Sequence, residues 1–159
     1  MSDRMQNILI LISALGCGLV AGVFFAFSTF VMDALARLPT SQGISAMQSI
    51  NVAVINPLFM GVLFGAAGLS LYLGYGAIQH LGDPRALRVV AGAGFYVIGA
   101  ILVTMAFNVP LNNALAAIDP ASGEGAAVWA DYLQNWTSWN NVRGLAALAA
   151  SGAFISALF

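Results

Sequence analysis

The sequence predicts an all-α fold, an integral membrane four-helix bundle with helical outer loops. Of its 159 residues, 60% are hydrophobic and only 7% are charged. Soluble domains carry about 25% charged residues, so apolar stretches of this length need a lipid environment. A membrane barrel would show alternating segments of about ten residues, and the sequence has no such alternation. Helices are therefore the expected spanning elements.

Four apolar stretches are expected to cross the membrane within a single membrane domain, residues 1–159. A helix needs about 20 residues to span a hydrocarbon core. The expected spans are residues 8–32, 57–78, 89–107 and 142–159. The last stretch is short, so its helix must begin further toward the N-terminus.

The arginines predict the orientation of the chain. With four spans, both termini and the loop 79–88 lie on one side, together with Arg4, Arg85 and Arg88. Arg37 and Arg143 belong to the opposite side. Because Lys and Arg are enriched in cytoplasmic loops, both termini are expected to be cytoplasmic.

The two outer connections, about 33–56 and 108–141, are long enough to contain helices of their own. In the first, Thr40 or Ser41 is the expected N-cap. In the second, the helix is expected to start near Asp119, with Glu124 in its first turn, and to continue into the fourth span. Pro110 predicts a kink or a helix end after the third span.

An aromatic and polar face is predicted on the helix that leads into the fourth span. At roughly 100° per residue, five side chains share an arc of roughly 80° and Trp139 borders it, whereas Asp131 and Asn141 point elsewhere. The five are Trp129, Tyr132, Trp136, Asn140 and Arg143. One interpretation is an aromatic belt at the membrane interface; the other is one wall of a ligand site.

The other spans bring polar or aromatic groups to the same end of the bundle. Amides near hydrocarbon are costly unless they are paired. Two interpretations stay open, a structural amide network that closes the bundle and a pocket for a flat, mostly apolar molecule. The residues concerned are Ser28, Phe30, Asn51, Asn56, Asn108 and Asn112.

Several classes of function have no support in the sequence. A net charge of −1 offers no basic surface for nucleic acid. Cys17 is the only cysteine, so we expect a packing role and neither a disulfide nor a metal cluster. No metal site is predicted, because His80 is the only histidine and lies in a short loop. No span interior holds the carboxylate of an ion pump.

Four motifs together resemble those of the anthrone oxygenase family. They are F-x-F-S-x-F-V-M, N-x-x-x-x-N-P-L-F, F-N-V-P-L-N and W-x-x-W-N-x-x-R, and the likeness runs from about Phe25 to the C-terminus. The family consists of small four-span membrane proteins. Its members in fungal polyketide pathways oxidise an anthrone to the anthraquinone without metal or flavin. The resemblance thus implies a cofactor-independent oxygenase, and its bacterial members imply a bacterial inner membrane location.

Candidate roles follow for individual residues. We expect Arg143, with Asn108 and Asn140, to stabilise an oxyanion during catalysis. Substrate contacts are expected from Trp136, Trp139, Asn112, Asn56, Phe30 and Ser28. Many relatives have a histidine directly after the W-x-x-W-N asparagine, whereas this chain has Asn141. The proton acceptor therefore stays open between Asp33, the better carboxylate candidate, and bulk hydroxide.

Two functions are carried forward. The first is an oxygenase that acts with O2 on a flat aromatic, anthrone-like or quinol-like substrate. The alternative is a non-catalytic membrane protein that binds a lipophilic ligand or serves as an accessory subunit of a larger complex. The expected partners are a small lipophilic aromatic molecule and membrane lipid, not nucleic acid, and a homo-oligomer stays open.

Overall fold

The computed structural model describes residues 3–159, and within this range the chain forms five helices and no strand. We number them in chain order: α1 is Asp3–Ala36, α2 is Thr40–Ala53, α3 is Pro57–Ile78, α4 is Pro84–Ala116 and α5 is Gly125–Ser156. The predicted all-α fold is confirmed.

Three helices in the described part of the chain, α1, α3 and α4, are long and apolar enough to cross a membrane. They contain the predicted spans 8–32, 57–78 and 89–107, and they indicate a membrane protein. Helix α5 is not among them, because Asn140, Asn141 and Arg143 lower the hydropathy of its second half. The fourth span, 142–159, stays a prediction, as do the four-span count and the cytoplasmic termini.

Small residues bring the long helices of the bundle close together. A Cβ atom placed on Gly99 of α4 would lie 2.5 Å from the Cβ of Ala146 on α5. One placed on Gly74 of α3 would lie 2.8 Å from the Cβ of Ala93 on α4. In lipid such small residues allow close helix packing, and the buried core of the bundle forms around these contacts.

The end of the bundle that holds α2 and the first half of α5 is called the cap end here. Apolar side chains from α1, α2, α4 and α5 form a second core there. Gln48 of α2 ties the cap together, because its Nε2 donates to the carbonyl oxygens of Leu115 (2.9 Å) and Ile118 (3.0 Å). Helix α2 and the first half of α5 are the helices predicted in the two outer connections.

Two predicted helix starts are wrong. Pro39 occupies the N-cap position of α2, and no side chain caps that helix, so neither Thr40 nor Ser41 does so. Helix α5 begins at Gly125, and Glu124 is its N-cap instead of a first-turn residue. Asp119 lies in a turn, where its Oδ1 accepts from the Ala121 N–H at 3.0 Å. Its carboxylate thus stabilises a turn and not a helix start.

Widened π-helical turns interrupt two of the long helices. They are Phe27–Val31 in α1 and Phe95–Leu102 and Thr104–Asn108 in α4. The helix end predicted at Pro110 is absent, since α4 continues to Ala116. Pro110 has no N–H to donate, and the widened turn Thr104–Asn108 directly precedes it in α4. Such turns often occur at functional sites.

Candidate functional site

A cavity of about 280 Å³, called the Arg143 cavity here, lies below the cap and is lined by residues from all five helices. Ligand pockets usually measure roughly 300–1,000 Å³, so this one suits a compact molecule. Phe24, Phe27, Phe59 and Met60 are among its apolar walls. Its polar lining residues are Asn51, Thr104, Asn112 and Arg143, together with the indole of Trp136.

Arg143 is buried, with only 7% of its surface exposed. Its Nε and Nη2 donate to Oδ1 of Asn140 at 3.0 and 2.8 Å, and its Nη1 donates to Oγ1 of Thr104 at 3.2 Å. The guanidinium carbon lies 4.1 Å from the ring centre of Phe24 and 5.0 Å from that of Trp136. Neutral oxygens and aromatic faces therefore hold the cation.

The charge of Arg143 is not balanced within the cavity. No Asp or Glu is found among the described residues that line it. A guanidinium carries five N–H donors, and the protein contacts above use three of them. A buried cation without a counter-charge is costly, and its remaining N–H groups bind anionic oxygens strongly. The cavity is thus suited to a ligand with an oxyanion.

Asn140 holds Arg143 in place. Its Nδ2 donates to the carbonyl oxygen of Phe24 at 2.7 Å and to Oγ of Ser28 at 2.6 Å, and its Oδ1 accepts both bonds from Arg143. Since these contacts occupy both of its N–H donors, Asn140 links α1 to α5 and orients the guanidinium. Asn140 is not among the residues that line the Arg143 cavity.

Two asparagines on α4, Asn108 and Asn112, contact α5. Asn108 is fully buried, and its Nδ2 donates to the carbonyl oxygen of Trp136 at 3.1 Å. Its Oδ1 has no partner among the described residues, and its side chain does not line the cavity. Asn112 does line the cavity, and its Oδ1 accepts from the Tyr132 hydroxyl at 2.8 Å.

Tyr132 connects three helices at the cap end of the cavity. Besides donating to Asn112 on α4, its hydroxyl accepts from Nδ2 of Asn51 on α2 at 3.4 Å. Burial raises the pKa of this hydroxyl above its ordinary value. Tyr132 lies before the predicted fourth span. Its hydroxyl therefore stays neutral near neutral pH and can donate to Asn112.

The two tryptophans predicted to bind substrate lie in different places. Trp136 is buried in the cavity wall, its ring centre 5.8 Å from those of Tyr132 and Phe27. Trp139 is half-buried outside the cavity and stacks on Phe107 at 3.6 Å. The predicted face of α5 is nevertheless found, because its five members are buried whereas Asp131 and Asn141 are exposed.

The family of the chain follows from comparison with known proteins. The model of the anthrone oxygenase family matches residues 52–153, which is well over half of the chain. The protein belongs to the anthrone oxygenase family. The match spans α3, α4 and most of α5, and so includes Asn108, Asn112, Asn140 and Arg143. No curated protein and no solved structure matches the chain.

Some residues that were expected in the site of this anthrone oxygenase family member lie outside the Arg143 cavity. Asn56 is the exposed N-cap of α3, where its Oδ1 accepts from the Phe59 N–H at 3.0 Å. Phe30 is 59% exposed, and Asp33 is also exposed. None of the three lines the Arg143 cavity. Ser28 contributes through its bond to Asn140.

Two contacts of Arg143, Thr104 and Phe24, were not among the predicted site residues. Thr104 lies one helical turn before Asn108, so helical spacing could have placed it near Arg143. No sequence signal sets Phe24 apart from the other phenylalanines of α1.

Exposed apolar side chains on α3 and α4 connect the Arg143 cavity to the protein surface. Two of its lining side chains, Phe64 on α3 and Met105 on α4, are 57% and 62% exposed. Both belong to helices that are apolar enough to span a membrane. The mouth of the cavity is therefore apolar and faces the surface that lipid would cover.

A second cavity of about 370 Å³ lies between α1 and α5, on the other side of Phe24. Asn141, which stands where many anthrone oxygenases have histidine, lines this second cavity and not the Arg143 cavity. Phe24 contributes to the walls of both cavities. A side chain at position 141 is thus separated from the guanidinium by the Phe24 ring and the Asn140 amide.

The described residues 3–159 contain no group of three His, Cys, Asp or Glu side chains that could hold a metal ion. Cys17 is buried in the bundle core, as its predicted packing role requires. His80 is exposed in the turn between α3 and α4.

Proposed function

We propose that the protein is a membrane oxygenase that oxidises a flat, lipophilic aromatic substrate, anthrone-like or quinol-like, with O2 in the Arg143 cavity. The observation that supports the proposal is the buried guanidinium, which has neutral partners and donors to spare in a cavity with aromatic and methionine walls. Membership of the anthrone oxygenase family supports the class of reaction.

Arg143 acts in the first step by stabilising the substrate anion. An anthrone loses a proton from its central methylene group, and the carbanion is delocalised as a phenolate. Preorganised donors aimed at developing charge lower the barrier strongly. The phenolate oxygen would lie at the guanidinium, while Trp136 and Phe24 pack against the rings. Asn140 is a positioning residue, because it acts through Arg143.

The second step consumes O2 and needs no electrons from outside the substrate. The carbanion gives its electron pair to O2, a C–O bond forms, and protonation gives a hydroperoxide. Loss of the remaining C–H proton with cleavage of the O–O bond leaves the ketone and one water. No Asp, Glu or His belongs to the described cavity lining, so solvent hydroxide is the proposed proton acceptor.

The test is O2 uptake by the purified protein with anthrone, measured against a control without protein. Arg143→Gln keeps a hydrogen-bond donor but removes the charge, and it should lower kcat/KM by about 100-fold or more. Arg37→Gln removes an exposed arginine at the end of α1 and should leave the rate unchanged. Equal rates for the two variants would remove Arg143 from the reaction.

The alternative, a non-catalytic binding protein or accessory subunit, is favoured by one observation, the lack of a carboxylate or imidazole among the described lining residues. Anthraquinone should then quench the fluorescence of Trp136 in an Arg143-dependent way. O2 uptake would nevertheless stay at the rate of the control without protein. That pair of results would replace the oxygenase proposal with the binding one.

A further inference from the structure

We infer that Asn51 and Asn112, held by Tyr132, form a specificity site for a hydroxyl group on the substrate, at a different position in the cavity from the oxyanion that Arg143 binds. The inference rests on the proposed function and adds a second polar contact to the substrate. It follows from where this cluster lies in the cavity and from which of its atoms are unused.

The cluster and the guanidinium occupy different ends of the Arg143 cavity. Thr104, which accepts from Arg143, and Asn112, which accepts from Tyr132, both line the cavity from α4. Eight residues separate them in the chain, at most about 12 Å along a helix axis, and the widened turn Thr104–Asn108 shortens this distance. The wall between them is apolar, with Met105 and Val109 on the same helix. The cavity therefore has two polar ends and an apolar middle.

Two amide atoms at the cap end are free to bind a ligand. Tyr132 donates to Oδ1 of Asn112 and accepts from Nδ2 of Asn51. Oδ1 of Asn51 and Nδ2 of Asn112 make no hydrogen bond to the protein among the described residues, although both side chains line the cavity. Tyr132 thus orients both amides and leaves one acceptor and one donor available.

The chemistry of the two ends differs. Arg143 offers only donors, which suit an oxyanion, whereas the asparagine pair offers one acceptor and one donor. A hydroxyl group is the small substituent that both donates and accepts. A site built to hydrogen-bond a substrate hydroxyl discriminates against the analogue that lacks it, because the polar groups of the site are left unpaired.

The experiment compares kcat/KM for anthrone with that for a monohydroxyanthrone whose hydroxyl is on an outer ring, away from the carbonyl. The wild-type protein should prefer the hydroxylated substrate by about 10-fold, the factor that corresponds to one net hydrogen bond. Asn51→Leu should bring the ratio close to one. Asn113→Leu, an exposed neighbour on α4, should keep the wild-type ratio.

Tyr132→Phe is a second variant that keeps the aromatic packing and removes the hydroxyl that orients both amides. It should also lower the ratio, and it replaces Asn51→Leu if that variant does not fold. A ratio that neither variant changes would overturn the specificity site and leave the oxygenase proposal intact.

Failure of the proposed function gives a different result. If neither anthrone is consumed faster than in the control without protein, the oxygenase proposal is wrong. Binding of anthraquinone and a hydroxyanthraquinone, followed by tryptophan fluorescence, then tests the same cluster. A preference for the hydroxylated ligand that Asn51→Leu removes would support the cluster as a binding determinant, and its absence would overturn it.

Discussion

At the scale of single residues, two tryptophans one helical turn apart on α5 differ in whether they line the Arg143 cavity. Trp136 contacts the cavity, the guanidinium of Arg143 and the rings of Tyr132 and Phe27. Trp139 stacks on Phe107 outside the cavity. Only the first of them is placed to touch a ligand.

This difference gives a matched pair of variants. Trp136→Leu should weaken binding of anthraquinone by about 10-fold or more, because it removes a ring face and a cation–π partner of Arg143. Trp139→Leu should change the dissociation constant by less than about two-fold, since it loses only the contact with Phe107. Dissociation constants from equilibrium dialysis decide the matter. Equal losses in the two variants would mean that Trp139 reaches the ligand.

Helical periodicity identified part of this site before the structure did. It correctly placed Trp136, Asn140 and Arg143 on one buried face, because the positions of side chains around a single helix follow from its geometry alone. Trp139 and Asn56, which the family resemblance suggested as substrate contacts, do not line the cavity. Which side chain of a face meets a cavity depends on the neighbouring helices, which periodicity does not describe.

At the scale of helices, the contact of α4 with α5 brings Thr104 to Arg143 and Asn108 to the backbone of Trp136. It depends on Gly99, where an added Cβ would lie 2.5 Å from the Cβ of Ala146. Gly94 lies on the same helix, and an added Cβ there would have no atom within 4 Å. The two glycines therefore separate the effect of packing from that of helix propensity.

Gly99→Ala should destabilise the protein by about 1–3 kcal/mol, because the overlap forces the two helices apart. Gly94→Ala should be neutral or stabilising by up to about 1 kcal/mol, since alanine favours a helix. Unfolding in mixed micelles with increasing denaturing detergent measures both effects. A stable Gly99→Ala variant would mean that α4 and α5 can separate freely.

The sequence predicted the existence of the helices better than their ends and irregularities. Apolar length determined α1, α3 and α4, whereas the start of α5 was misplaced at Asp119 because that residue caps a turn instead. The widened turn Thr104–Asn108 was also missed. The lack of an N–H at Pro110 indicates only that the hydrogen-bond pattern changes nearby, not where the turn begins and ends.

At the scale of the whole molecule, acidic and basic groups are separated from one another around the cavity. Arg143 lies inside, while Asp33 and Asp131 are exposed. No Asp, Glu or His belongs to the described cavity lining. Under the proposed function, the charge that changes with pH is therefore that of the substrate's own acidic group.

The pH dependence of turnover should therefore follow the substrate. With hydroxide as the proton acceptor, log kcat/KM should rise by about one per pH unit and level off near the pKa of the anthrone. A more acidic anthrone should shift the inflection downward by the difference in pKa. Stopped-flow rates for two anthrones would test this. An inflection at the same pH for both would indicate a base in the protein and overturn hydroxide as the proton acceptor.

The apolar mouth between Phe64 and Met105 affects how any rate constant for this protein is expressed. A ligand that enters there is drawn from the hydrocarbon phase, where a flat aromatic compound dissolves far better than in water. Its effective concentration is then a mole fraction in lipid or detergent. Adding more micelles at constant total substrate dilutes it, so the apparent KM rises in proportion to the amphiphile present. Kinetic comparisons between variants require a fixed ratio of substrate to amphiphile.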